Sequence, residues 1–268
     1  DQQQVYDDVG APVLDAVLQG YNGTILAYGQ TGTGKTHTLL NVGATPSDAG
    51  LVPRIVASLF LQIKNDVRHV YTVRASFAQI YNEQIDDLLN RKNANLKVKP
   101  HGSAYEVEGL SVVPCNSAAA MLKVLETGRK HLVYAETRMN KSSSRSHAVL
   151  QLHISRRLRA TDVPLNGSLR FAQSCGKLSL VDLAGSERVK RSGADESANR
   201  MREAININSS LLGLSNVMKA LSLGAPYVPY RDSKLTHMLA DAIGGNCKTV
   251  LVVCVSPDAA DTSETAGT

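Results

Sequence analysis

The stretch LAYGQTGTGKTHTL, residues 26–39, places three glycines and a lysine–threonine pair directly after a short apolar run. Residues 29–36 match the pattern G-x-x-x-x-G-K-[ST]. In such a loop the glycines let successive N–H groups turn inward, and the N-terminus of the following helix adds partial positive charge. The stretch therefore predicts a phosphate-binding loop between a strand at 24–28 and a helix that begins near Gly34.

The loop pattern also assigns a contact to each of its residues. We expect Lys35 to reach the β and γ phosphates of a nucleotide and the Thr36 hydroxyl to bind Mg²⁺. The alternative is a glycine-rich turn with an exposed lysine, and the strand before and the helix after the loop favour the phosphate site. The residues expected to surround the phosphates are Gly29, Gln30, Thr31, Gly32, Thr33, Gly34, Lys35 and Thr36.

Composition limits the class of protein without choosing its partner. The chain has 268 residues, of which 43% are hydrophobic and 20% charged, as in soluble globular proteins. Its apolar runs are too short to cross a bilayer, and residues 1–4 are too polar for a secretory signal. Four scattered cysteines indicate neither a disulfide framework nor a zinc site, and fit a reducing cytosol. A net charge of +5 favours an acidic partner, either a nucleic acid, an acidic protein surface or a phosphate-rich ligand.

The order of the predicted elements indicates one α/β domain. Strands and helices alternate, so we predict a three-layer fold with a central, mostly parallel sheet and helices on both faces. The strands are predicted at residues 24–28, 70–80, 147–158, 177–181 and 249–255, with shorter ones within 96–113. The helices are predicted at residues 5–18, 34–40, 53–65, 117–133, 201–221 and 233–243.

Two further loops could act on a γ-phosphate. Residues 140–147 form a run rich in hydroxyl groups just before a predicted strand, and the alternative for this run is a solvated serine loop. In residues 180–188, apolar positions lead to Asp182 at a predicted strand end, where an acid can hold Mg²⁺ through water. Gly185 leaves room for a backbone N–H to approach the phosphate. The alternative for Asp182 is a cap on the next helix.

Together these segments resemble the motor domain of the kinesins, and they follow one another in that family's order along essentially the whole chain. The resemblance implies the P-loop NTPase fold, an ATPase that uses ATP and Mg²⁺, and a motor that moves on microtubules in the cytoplasm. The matching segments are 29–36 with His37 and Thr38, 140–147 (N-x-x-S-S-R-S-H), 182–187 (D-L-A-G-S-E), 227–236 (Y-V-P-Y-R-D-S-K-L-T) and 244–246 (G-G-N).

The resemblance also implies roles for residues of the first switch loop. Ser143 and Ser144 would organise the catalytic water and the Mg²⁺ shell, so the implied metal contacts come from Thr36, Ser144 and Asp182. Arg145 would pair with Glu187 when the two switch loops close on ATP. Closure would exclude solvent and hold the attacking water in line with the γ-phosphate.

Four other positions receive implied roles. Asp182 would hold Mg²⁺ indirectly, Gly185 would respond to the γ-phosphate, and Asn208 would belong to a polar network behind the second switch loop. His37 would pack beside the adenine. Loss of the γ-phosphate would then change how the second switch loop holds the long helix predicted at 201–221.

The implied partner is the acidic surface of the microtubule. Three positions depart from the family pattern, because Ser209 replaces a common lysine, His237 a common arginine and Ser215 a frequent glycine. The first two departures could weaken or retune microtubule binding without touching the nucleotide loops. Basic residues in or beside the segments that contact microtubules in the family are Lys190, Arg191, Arg200, Arg202, Lys219, Arg231 and Lys234.

Two other interpretations remain open on the sequence. The chain could be a microtubule-binding module of the same fold that does not hydrolyse ATP, or an unrelated phosphate-loop NTPase acting on nucleic acid. No motif for base or RNA recognition supports the second. Compared with the family, the chain is expected to begin after the first core strand and to stop before the last helix and the neck linker. Direction of movement, cargo and oligomerisation would depend on regions outside it.

Overall fold

The structure, a computed structural model, describes residues 1–43, 45, 47–101, 104–138, 145–159, 173–187 and 198–267. The helices are α1 (Gln2–Val5), α2 (Ala11–Leu18), α3 (Lys35–Leu40), α4 (Leu51–Asn65), α5 (Ala118–Arg138), α6 (Ala198–Ser222), α7 (Lys234–Met238) and α8 (Thr262–Gly267). A π-helical turn, Tyr6–Gly10, joins α1 to α2. The strands are β1 (Asn22–Gly29), β2 (His69–Tyr81), β3 (Gln84–Asp87), β4 (Lys97–His101), β5 (Ala104–Glu108), β6 (Val113–Pro114), β7 (His147–Leu158), β8 (Gln173–Asp182) and β9 (Cys247–Cys254).

The main sheet has the strand order β3-β2-β7-β8-β1-β9, with β6 added to β2, while β4 and β5 form a separate hairpin. Strand β1 runs parallel to β8 and β9, but β2, β3, β6, β7 and β8 are joined by antiparallel pairings. The prediction of a mostly parallel sheet is therefore wrong, because the sheet is mixed. An antiparallel strand covered on both faces carries the same continuous apolar pattern as a parallel one, so the sequence could not separate the two.

Helices cover both faces of this sheet, as predicted. Adjacent residues of β1 point to opposite sides, so Ile25 belongs to a core with α2, α3, α4 and α5, whereas Leu26 belongs to a core with α6 and α7. Both side chains are fully buried. A central strand that is apolar on two consecutive positions thus anchors both layers.

The topology brings the ends of two strands to the phosphate loop. Because β1 and β8 are parallel neighbours, their carboxyl ends lie at one edge of the sheet, with Ala27 opposite Asp182. The loop follows β1, and α3 begins at Lys35. Gly29, Gly32 and Gly34 have φ of 146°, 83° and 98°, a region that favours glycine.

Helix α7 is shorter than the predicted helix at 233–243. The carbonyls of Asp241 and Ala242 accept hydrogen bonds from the β1 side chains of Asn22 (2.9 Å) and Thr24 (2.5 Å). These tertiary bonds anchor a turn to the sheet in place of further helical bonds. Among the described residues, no helix is both long enough and apolar enough to span a membrane.

Helix α5 lies so close to the sheet that only glycine fits at position 128. A Cβ added to Gly128 would overlap the ring of Phe77, which is fully buried.

Alanine normally stabilises a helix interior by about 1 kcal/mol relative to glycine, but overpacking of a core costs about 1–3 kcal/mol. We therefore predict that Gly128→Ala lowers the free energy of unfolding by about 1 kcal/mol or more, measured by urea denaturation. Lys130→Ala, at an exposed position of α5, is the control, and a stabilised Gly128→Ala variant would contradict the packing argument.

Candidate active site

The phosphate loop borders a cavity of about 230 Å³ at the carboxyl edge of β1 and β8. The loop, the first residues of α3 and the residue that follows β8 form its walls. Seven of the residues that the structure describes line the cavity: Thr31, Gly32, Gly34, Lys35, Thr36, His37 and Leu183. Six of them belong to the segment 29–37 that the sequence singled out. This segment therefore borders a cavity and is not an exposed turn.

Lys35 is held inside the loop. Its Nζ donates to the carbonyl oxygens of Gly29 (2.8 Å) and Gln30 (2.9 Å), and the residue is 7% exposed. Burial lowers the pKa of the Lys35 ammonium, while the nearby carboxylates of Asp182 and Glu187 act in the opposite direction. The positive charge is thus desolvated and close to the place where phosphate oxygens would lie, which strengthens its attraction for an anion.

Asp182 contacts the hydroxyl of Thr36. The Thr36 Oγ1 donates to Asp182 Oδ2 at 2.5 Å, and the second oxygen, Oδ1, is buried without a hydrogen-bond partner among the residues that the structure describes. Burial raises the pKa of the Asp182 carboxyl, although the Thr36 hydrogen bond and Lys35 oppose this shift. An unsatisfied buried carboxylate oxygen beside a hydroxyl is the type of donor pair that Mg²⁺ prefers.

This pair is not a self-sufficient metal site. Within the described part of the chain, no three His, Cys, Asp or Glu side chains come together to hold a metal ion. Mg²⁺ ordinarily keeps several waters and binds through one or two protein ligands together with substrate phosphates. The residues present therefore fit Mg²⁺ that arrives with a nucleotide.

The segment after β8 runs alongside the phosphate loop. The N–H of Ser186 donates to the Gly29 carbonyl (3.1 Å), and Glu187 Oε2 accepts from the Thr31 N–H (2.9 Å) while its other oxygen accepts from the Thr31 hydroxyl. A Cβ at position 185 would overlap both the Glu187 carboxylate and the Thr31 hydroxyl, so the glycine leaves room for these two side chains to meet.

His147 also belongs to the site, although the sequence pattern at 140–147 assigned no role to it. Its Nδ1 accepts from the Ala184 N–H at 3.0 Å, so the neutral ring carries its proton on Nε2, which lies 2.7 Å from Ser210 Oγ on α6. Burial, aided by Lys35, lowers the pKa of His147 from 6.5 to about 4. The ring thus joins the start of β7 and the segment after β8 to the long helix. Its position as the first residue of a buried strand, directly after a hydroxyl-rich loop, was the available signal.

The structure brings together only part of the predicted site. Ser143, Ser144, Lys190 and Arg191 lie outside the described residues, as do the side chains of Arg200, Arg202 and Asn208 on α6. Arg145 is exposed two residues before β7, and its pairing with Glu187 stays a prediction, because the described partner of Glu187 is Thr31.

Three predicted partner contacts belong to the described α6–α7 region. Lys219 and Arg231 are exposed, and Lys234 is half-buried. The hydroxyl of Tyr105 on the β4–β5 hairpin accepts a hydrogen bond from the guanidinium of Arg231 (3.3 Å), and the Tyr105 ring packs edge-on against His237. The hairpin and α7 therefore form one continuous surface beside the end of α6.

A glycine loop between a central parallel strand and a helix, with an acid from the adjacent parallel strand against its threonine, defines a P-loop NTPase fold. The model of the kinesin motor domain matches residues 1–268, and the chain belongs to that family. Kinesin motor domains are ATPases.

Individual relatives agree with this assignment. The kinesin-like protein Klp68D of Drosophila melanogaster is 40% identical over 264 residues, which is 98% of this chain and 32% of that protein. The human kinesin-1 heavy chain is 40% identical over 269 residues, which is 100% of this chain and 27% of that protein. The solved structure of a fast kinesin, described for its ATPase mechanism and its interactions with microtubules, superimposes with a TM-score of 0.88 at 39% identity, covering 99% of this chain and 73% of that chain. The chain thus spans about a third of the length of these curated relatives.

The buried position of His147 predicts a pH-dependent stability. Its folded-state pKa is about 4 against an ordinary value of 6.5, so the unfolded chain binds more protons between these values. Stability from this group is therefore complete above pH 6.5 and is lost as the pH falls toward 4. We expect His147→Gln, which cannot be protonated, to lose less stability than the wild type over this window in urea unfolding curves. An equal loss of stability in the variant and the wild type would show that protonation of His147 does not cause the pH dependence.

Proposed function

We propose that this chain is the catalytic part of a microtubule motor, which hydrolyses Mg-ATP and couples hydrolysis to microtubule binding. The observation that carries the proposal is that Asp182 and Glu187 contact the phosphate loop at Thr36 and Thr31, two residues that line the cavity, in a chain of the kinesin family. Two segments separated by some 150 residues supply these side chains. Asp182 would serve the binding of Mg-nucleotide, and Glu187 adds a carboxylate that hydrolysis can use.

In this proposal the loop binds the triphosphate through its inward N–H groups and through Lys35. The ammonium exchanges the carbonyl oxygens of Gly29 and Gln30 for phosphate oxygens, which are better partners because they carry negative charge. Thr36, Ser144 and Asp182 would hold Mg²⁺, either directly or through water. When bound, Mg²⁺ would neutralise negative charge on the phosphates.

Hydrolysis requires a positioned water, which we assign to the two switch loops. The Glu187 carboxylate occupies the N–H of Thr31, a group of the phosphate loop, so an incoming phosphate and Glu187 compete for it. On release from Thr31, Glu187 pairs with Arg145, and this closure with Ser143 and Ser144 holds the water for in-line attack. Gly185 presents its N–H to the γ-phosphate.

Coupling to the partner follows the hydrogen bonds of His147. A movement of the segment that contains Ala184 acts on the imidazole, and the imidazole acts on Ser210 of α6. We assign Asn208, two residues before Ser210 on the same helix, to the same polar network. Loss of the γ-phosphate thus changes the position of α6 relative to the sheet.

The solvent-facing side of α6 and α7 is the proposed microtubule surface. Leu212 on α6 is 61% exposed, and Leu223 and Tyr227, beyond the end of α6, are 72% and 69% exposed. Large apolar side chains that find no cover within the described chain are typical of a docking face. Lys219 and Arg231 add positive charge, which steers binding to an acidic surface. Further positive charge comes from Lys190, Arg191, Arg200, Arg202 and Lys234.

Steady-state ATPase assays test the proposal against its two alternatives. We expect Mg-dependent ATP turnover that microtubules stimulate strongly and nucleic acid does not. Microtubule binding without turnover would instead support an inert module of the same fold. Stimulation by nucleic acid alone would support an NTPase of the other class.

Glu187→Ala separates ATP binding from hydrolysis. We expect this variant to retain or improve ATP affinity, because Thr31 is released, but to lose about 100-fold or more in turnover, since a water-positioning group is removed. Equilibrium dialysis with labelled ATP and a phosphate-release assay measure the two effects. Glu126→Ala, on the exposed side of α5, is the control, and normal turnover in Glu187→Ala would remove Glu187 from the mechanism.

Ser209→Lys restores a charge on the proposed microtubule surface. Ser209 is exposed on α6, so we expect this variant to bind microtubules about threefold to tenfold more tightly at low salt, with a gain that shrinks as salt screens the charge. Co-sedimentation at several salt concentrations measures this. Asn65→Lys adds the same charge on α4, which packs on the other face of the sheet, and an equal gain there would place the effect in net charge and not in α6.

A further inference from the structure

The short helix α1 reaches across to the residue that follows the phosphate-loop threonine. The side-chain nitrogen Nε2 of Gln2 lies 3.0 Å from His37 Nδ1 and 3.0 Å from the His37 carbonyl oxygen. One amide group thus holds both the ring and the backbone of the same histidine. No role has been given to Gln2 so far, and its contacts lie at the edge of the nucleotide cavity.

The contact with the His37 carbonyl determines which atom donates in the contact with the His37 ring. A backbone carbonyl only accepts hydrogen bonds, so the group of Gln2 that faces it must be the NH₂ and not the side-chain oxygen. The same NH₂ faces His37 Nδ1, which must therefore accept. The neutral ring consequently carries its proton on Nε2, and its orientation is fixed by two hydrogen bonds from one rigid amide.

Helix α1 is itself held in place. The Asp1 side chain caps its first turn by accepting from the Gln4 N–H (2.8 Å). The Gln3 side chain accepts from the guanidinium of Arg54, which also donates to the carbonyls of Ala49 (2.9 Å) and Ser47 (3.1 Å). Gln2 therefore contacts His37 from an anchored position.

His37 lines the cavity directly beyond Lys35 and Thr36. With the phosphates in the loop, His37 would lie beside the part of the ligand that follows the phosphates, which is the nucleoside. A ring that can rotate would lose side-chain entropy on packing against a nucleoside, whereas a ring already fixed loses less.

We propose that Gln2 is a positioning residue for nucleoside recognition, because it presents the His37 ring in one tautomer and one orientation at the mouth of the cavity. This inference rests on the proposed function, since it concerns the same nucleotide site. It assigns to α1 a contribution to the affinity for ATP that leaves the phosphate contacts unchanged.

Two ligands distinguish the nucleoside from the phosphates. Isothermal titration calorimetry with Mg-ATP and with Mg-tripolyphosphate compares a complete ligand with one that lacks the nucleoside. The variant is Gln2→Met, which keeps an unbranched side chain of similar length and good helix propensity but has no donor. Gln4→Met is the matched control, because the Gln4 side chain contacts Asp8 and not the cavity.

We expect Gln2→Met to bind Mg-ATP about fivefold more weakly, the change that follows from losing one ordinary hydrogen bond, with unchanged affinity for Mg-tripolyphosphate. Gln4→Met should match the wild type with both ligands. Equal weakening for both ligands, or no weakening in Gln2→Met, would overturn the positioning role alone. A wild-type protein that binds neither ligand would overturn the proposed function, and the positioning role with it.

Discussion

The contact between Thr36 and Asp182 is the constraint on which the site depends. It places a carboxylate in a buried position, with one oxygen bonded and the other without a partner among the described residues, beside a lysine that is equally buried. Burial lowers the pKa of Lys35 and raises the pKa of Asp182, so it disfavours the charged form of each group. Such an arrangement costs folding free energy by itself and gains it back when a bound anion and cation complete the charges, as expected of a site shaped for a ligand.

The geometry of the sheet makes this contact possible. Since β8 is the parallel neighbour of β1, the acid at the end of one strand and the loop at the end of the other lie at the same edge. The antiparallel strands on the other side of β8 bring the start of β7 to that edge as well, with Ala148 opposite Asp182. His147 therefore lies where it can bond both Ala184 and the long helix. The mixed sheet thus brings a third segment of the chain to the edge where the phosphate loop lies.

The sequence predicted most elements of the fold and part of the site. The glycine pattern at 29–36 located the loop between its strand and helix, because such a loop is a local structure. The prediction of a mostly parallel sheet and the predicted length of α7 were wrong, since strand pairing and helix length depend on partners far along the chain, such as the bonds of Asn22 and Thr24 to the turn after α7. The role of His147 was missed for the same reason, as its two partners lie 37 and 63 residues away.

What the sequence determined by itself is a phosphate loop, an acid at a strand end and a series of motifs in the order of one family. The loop and the acid follow from local spacing and from short-range backbone preferences, and the family follows from the order of the motifs. Only the tertiary structure decided which groups meet, because contacts such as Glu187 with Thr31 and Gln2 with His37 join segments that no local pattern relates. Buried polar atoms must find partners wherever the packed chain places them, and this requirement acts across the whole fold.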